Sequence, residues 1–71
     1  MDSFAEEHRK FLLERIECNK AKLEELRQKD VSGWDAFNKE HLNRTIKNLE
    51  YSIEWNSETV RLIDEYIKKQ S

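Results

Sequence analysis

Lys29-Asp30-Val31-Ser32-Gly33-Trp34-Asp35 decides the fold, because it holds the only glycine of a 71-residue chain that contains no proline. Glycine adopts φ > 0 at little steric cost, so Asp30–Gly33 reads as the one turn. Upstream, nothing breaks a helix from Phe4 to about Lys29. Ser3 and Glu6 have capping-box spacing: the hydroxyl can accept from the Glu6 amide while the carboxylate reaches back to the Ser3 amide. Downstream, Ser32 and Asp35 repeat the pattern and open a second helix that can run to about Lys69. The expectation is an all-α, antiparallel two-helix hairpin in a single domain spanning 1–71, with helices over about 4–29 and 34–69 and a turn at 30–33. At 1.5 Å per residue the rods are roughly 40 and 50 Å long.

Heptad spacing supports the hairpin. Ala5, Arg9, Leu12, Ile16, Asn19, Leu23 and Leu26 follow alternating steps of three and four, as do Leu42, Ile46, Leu49, Ile53, Asn56, Val60, Ile63 and Ile67. Folding about Ser32–Gly33 predicts facing residue numbers that total about 65: Leu23 with Leu42, Asn19 with Ile46, Ile16 with Leu49, Leu12 with Ile53. Asn56-Ser57-Glu58 also has the form of a helix cap, but the unbroken seam from Leu42 to Ile67 argues for one rod.

A second apolar set does not fit between two helices. Phe4, Phe11 and Cys18 recur every seven residues beside the first seam, with Leu13 on its other side. Tyr51, Trp55, Leu62 and Tyr66 stand outside the second. A two-stranded coil hides only its seam, and an apolar patch on a small chain marks an interface. Leaving three such aromatics wet forgoes on the order of 10 kcal/mol of burial, more than a hairpin of this size can spare. Self-association follows as an expectation, most simply into a four-helix or larger homo-oligomeric bundle.

Composition narrows the function classes. The 39% charged fraction and net charge of −2 indicate neither a membrane span nor a global basic field for nucleic acid. The acids in Met-Asp-Ser-Phe-Ala-Glu-Glu do not suit a signal peptide, so a cytoplasmic location is expected. Cys18 is the only cysteine, and His8 and His41 lack ligand spacing, so neither a metal site nor a cofactor is expected. One Cys, two His and scattered Ser assemble no nucleophile–base–orienter set, and an enzyme is not expected.

Most charges form i,i+4 pairs with the acid N-terminal, such as Glu40–Arg44 and Glu65–Lys69, and read as a solvated surface. One stripe escapes this. His8, Arg15, Lys22 and Lys29 recur at sevens, and the matching edge of the second helix offers Asn38, Thr45, Ser52 and Thr59. Basic groups facing hydroxyls suit an anion, or the glutamates of another chain. The seam residues Asn19, Asn56 and Arg9 read as register-setting. Trp34 and Phe37 read as a staple over Val31 and Leu26. Ala36 stands where the Trp-x-Gly turn of small secreted helical hairpins has glycine.

The expected function is that of a small non-enzymatic regulatory protein that binds itself and a protein partner through Tyr51, Trp55, Leu62, Tyr66, Phe4 and Phe11, where Trp and Tyr are favoured hot-spot types. The alternative is sequestration of a small anionic ligand between subunits by Arg15, Lys22, Arg44, Thr45, Ser52 and His8. A loose resemblance to phage helical proteins that hold cyclic nucleotides between chains, carried by His8-Arg9-Lys10, Asn19-Lys20 and Arg44-Thr45, implies the same ligand class. RNA binding ranks third, since the basic stripe is broken.

Overall fold

The computed structural model describes residues 3–70, apart from the side chain of Ser3. Helix α1 spans Ser3–Arg27 and α2 spans Ala36–Gln70 without a break at Asn56; the two pack against each other, and no strand occurs among the described residues. The Ser3–Glu6 cap lies outside the described residues.

The connection is longer than the sequence suggests, covering 28–35. Helix α1 tightens as it ends, the Gln28 amide being shared between the Glu24 and Glu25 carbonyls (3.2 and 3.3 Å) and the Lys29 amide bonding Leu26 (3.3 Å). Ser32 does not start α2. Its amide and hydroxyl both donate to Asp30 Oδ1 (3.0 and 2.7 Å), bonds that hold the Asp30 carboxyl below its ordinary range. The Trp34 amide closes a four-residue turn on the Val31 carbonyl (3.0 Å), with Gly33 at φ 88° in the position that requires it. Asp35 is the cap: its Oδ1 accepts from the Asn38 amide at 2.8 Å, and its carbonyl from the Lys39 amide at 3.1 Å. Trp34 therefore precedes the helix that it was expected to begin.

The seam residues are those the heptads name, but their pairing is displaced by one heptad. Leu12, Ile16 and Val60 form the buried cluster, with Ile53 and Ile63 packed against it, and Leu23 is buried further along. Arg9 bonds Asp64 and Asn19 bonds Ser52, so facing residue numbers total about 72 or 73 rather than 65, and the long Arg27 side chain reaches about a turn further, to Glu50. Leu12 thus faces Val60 instead of Ile53, and Leu23 faces Leu49 instead of Leu42. A seven-residue repeat matches itself after a slip of seven, so the apolar pattern leaves the two registers equivalent. The eight-residue connection and the polar pairs select one of them.

This register makes the molecule a rod of 56 × 14 × 14 Å, as long as α2. The start of α1 lies beside the end of α2, and residues 36–45 of α2 project past the end of α1. Leu42 there and Ile46 just beyond it are only half-buried, as is Val31 of the connection. Phe37 is 75% exposed and stacks on His41 (centroids 6.3 Å, planes at 1°), so it does not join a staple over Leu26. The radius of gyration is 16.5 Å, against about 11 Å for a compact domain of this length.

Candidate interaction surface

The two flanks of the seam differ. On one flank, charges close within the chain: Arg9 on Asp64, and Arg27 on Glu50 at 2.6 Å. The other flank has no cross-helix ion pair among the described residues. In the observed register His8, Arg15 and Lys22 of α1 stand level with Tyr66, Thr59 and Ser52 of α2, one heptad from the expected partners. Arg15 is exposed and makes no ion pair among the described residues.

The apolar side chains that the seam cannot hide gather on this open flank and the outer faces beside it. Phe4, Phe11 and Cys18 share one heptad position of α1, and all three are exposed. Tyr51, Trp55, Leu62 and Tyr66 occupy the outward side of α2, with Tyr51 75% and Trp55 70% exposed. Phe4 tilts over His8, with ring centroids 5.8 Å apart. Leu13, by contrast, lies on the closed flank. The accessible surface is 5928 Å², whereas a compact monomer of 8.6 kDa exposes about 4,700 Å². The excess is of the order that one partner covers in a standard protein interface.

Within that surface α2 carries a groove lined by Tyr51, Glu54, Trp55 and Glu58. Arg61 donates to Glu58 and, at 2.7 Å, to Glu65, which spaces these two acids along the helix. The hydrogen bond from Arg61 holds the Glu58 carboxyl below the ordinary carboxylate range, and Glu58 raises Arg61 in turn. Glu58 is therefore ionised at neutral pH and keeps acceptor sites for a further donor.

The anion-binding candidates do not converge within one chain. From His8, level with Tyr66, to Arg44 the set spreads over about 30 Å of rod. Arg44 is paired with Glu40 at 3.0 Å. Ser52 Oγ already accepts from Asn19 (3.1 Å) and Asn56 (3.4 Å), and the Thr45 and Thr59 hydroxyls donate to carbonyls one turn back, His41 and Trp55. Asn19, Ser52 and Asn56 form a polar layer across the seam, and no buried side-chain polar atom lacks a partner among the described residues.

The sequence reading missed two features. Glu54 and Glu58 were read, with Glu50, as acids of another chain that could neutralise the basic stripe, but not as neighbours of Tyr51 and Trp55, although their i,i+4 spacing beside those rings signals the groove. Phe4–His8 and Phe37–His41 repeat the pattern Phe-x-x-Glu-His at the start of each helix, and both pairs are in ring contact. No group of three metal-ligating side chains occurs among the described residues, nor is any helix long and apolar enough to cross a membrane. Comparison with protein-family models, curated proteins and solved structures yields no match.

Proposed function

We propose that this α-helical hairpin is a small non-enzymatic interaction protein that assembles into a homo-oligomer and acts by binding protein. Its contact surface is the aromatic flank, comprising Tyr51, Trp55, Leu62 and Tyr66 of α2 with Phe4 and Phe11 of α1. The observation that carries this reading is the exposure of these six side chains on a rod whose own buried core is Leu12, Ile16, Leu23 and Val60. Aromatic side chains supply large contact areas at low conformational cost, and small scaffolds reach stability by covering such surface in assembly.

Sedimentation of the wild type and of Trp55→Ala tests the proposal. The wild type is expected to sediment as an oligomer at micromolar concentration. Trp55→Ala should weaken assembly by at least tenfold with monomer helicity retained, because the side chain supports no contact in the isolated seam. A wild type that remains monomeric into the millimolar range rejects the reading.

A further inference from the structure

We propose that the groove lined by Tyr51, Glu54, Trp55 and Glu58 receives Arg15 of a second copy of this chain, docked side by side with its rod parallel to the first. This inference rests on the self-association proposed above and specifies its register. The groove has two carboxylates beside two aromatic rings, a composition that suits a guanidinium, which can pair with the acids and stack on the rings. Arg61 of the same chain already donates to both oxygens of Glu58, but Glu54 makes no ion pair among the described residues, so the groove keeps a net negative charge. Arg15 is the exposed arginine of the open flank, and it has no acid opposite it in its own hairpin.

Register supplies the second argument. When copies are related by rotation about an axis along the rod, each residue keeps its level, so α1 of one copy meets α2 of the next with numbers that again total about 73. Arg15 then meets Glu58, Phe11 meets Leu62, and Cys18 meets Trp55. One step further each way, His8 meets Glu65 and Lys22 meets Tyr51. A basic–apolar alternation on α1 thus faces an acidic–apolar alternation on α2, with matching three- and four-residue steps. The opposite flank offers no such ladder, since Arg9 and Arg27 are already paired within the chain. The two ladders lie on different helices, so the contact joins unlike surfaces, and the rotation closes copies into a ring.

Charge reversal and cross-linking test the register together. Arg15→Glu and Glu58→Arg should each weaken assembly at least tenfold by sedimentation, and the double variant should recover most of the loss, with circular dichroism confirming that each remains helical. In a separate variant, Glu54→Cys places a thiol in the groove where Cys18 of the next copy arrives. Oxidation should then give disulfide-linked multimers on a non-reducing gel, and adding Cys18→Ser should abolish them. The linkage cannot form within one chain, because Cys18 and Glu54 stand on the outward faces of different helices and a disulfide needs Cα atoms within about 7 Å. A monomeric wild type overturns both this inference and the self-association beneath it. An oligomer in which Cys18 and the thiol introduced at position 54 do not cross-link overturns the register alone, whatever the charge variants do.

Discussion

The two flanks of the hairpin solve the same problem in opposite ways. On the closed flank, Arg9 and Arg27 find Asp64 and Glu50 across the seam, and Leu13 is the large apolar side chain exposed there. On the open flank, basic residues of α1 face neutral hydroxyls of α2, and six large apolar side chains stand around them exposed. Exposed charges need no partner, because water solvates them at little cost. Exposed aromatics forgo burial free energy, and a hairpin with four buried apolar side chains among its described residues has little to spare. The difference teaches that the closed flank is finished within one chain, whereas the open flank leaves exposed the apolar surface that the proposed assembly would cover.

The largest effect should come from the seam that both flanks share. Leu12 is 6% exposed and packs in the cluster with Ile16 and Val60. Leu12→Ala removes a buried side chain from the middle of a thin core and should cost about 2–5 kcal/mol. In so small a scaffold that unfolds both flanks together, visible as loss of the helical signal at 25 °C in circular dichroism. If Leu12→Ala keeps full helicity only at concentrations where it is oligomeric, the open flank supplies the missing stability. If it stays helical as a dilute monomer, the seam is stronger than its burial indicates and the contrast between the flanks weakens.

Much of this was legible in the residues, and the parts that were not have a physical reason. The lone glycine, the absence of proline and the heptad steps were enough for two helices and for the buried seam residues Leu12, Ile16, Leu23 and Val60, though Leu42 lies past the end of α1. The aromatic flank was legible because Phe4, Phe11, Tyr51 and Trp55 fall outside those steps. The pairing was not, because a periodic stripe is indifferent to a slip of one period. What breaks that indifference lies in individual polar atoms: Asn19 on Ser52, Arg27 on Glu50, and an Asp35 cap three residues later than Ser32 suggested. Ser32 was misread because its hydroxyl has two possible partners, the start of a helix or the carboxylate of Asp30, and the turn around Gly33 favours the second. The groove was missed for a related reason. Its acids read in the sequence as counter-charges for a basic stripe, and only the folded helix brings Glu54 and Glu58 into one groove with Tyr51 and Trp55.

Asn19 is the intermediate test, because it lies in the seam yet its amide reaches toward the open flank. Its Nδ2 donates to Ser52 Oγ at 3.1 Å, and Asn56 donates to the same oxygen at 3.4 Å. Asn19→Ala leaves Ser52 with one amide donor and shortens a half-buried side chain, which should cost about 1–2 kcal/mol by urea unfolding. The greater consequence should be in register, since a single polar seam residue can select one pairing among equivalent ones. Disulfides separate the two registers. In a Cys18→Ser background, cysteines at positions 15 and 59, which stand level on the rim of the seam and outside its core, should cross-link readily in the parent and less completely once Asn19→Ala is added. Undiminished cross-linking would assign the register to the connection and to the closed flank's ion pairs.

The smallest effect belongs to the closed flank itself. Arg27 and Glu50 pair at 2.6 Å, but each side chain remains about half exposed. Water and salt screen such a pair, and holding two long side chains in one geometry offsets part of the attraction. Arg27→Ala should therefore lower stability by less than about 1 kcal/mol, and a double-mutant cycle with Glu50→Ala should give a coupling of a few tenths of a kcal/mol that disappears in 1 M salt. Self-association measured on the same variant should not change, because Arg27 lies on the flank away from the groove. A coupling above 2 kcal/mol would mean that this bridge, at the end of α1 where the connection departs, fixes the register. The closed flank would then be the element that aligns the open one, since a slip of one heptad would move Glu50 away from Arg27.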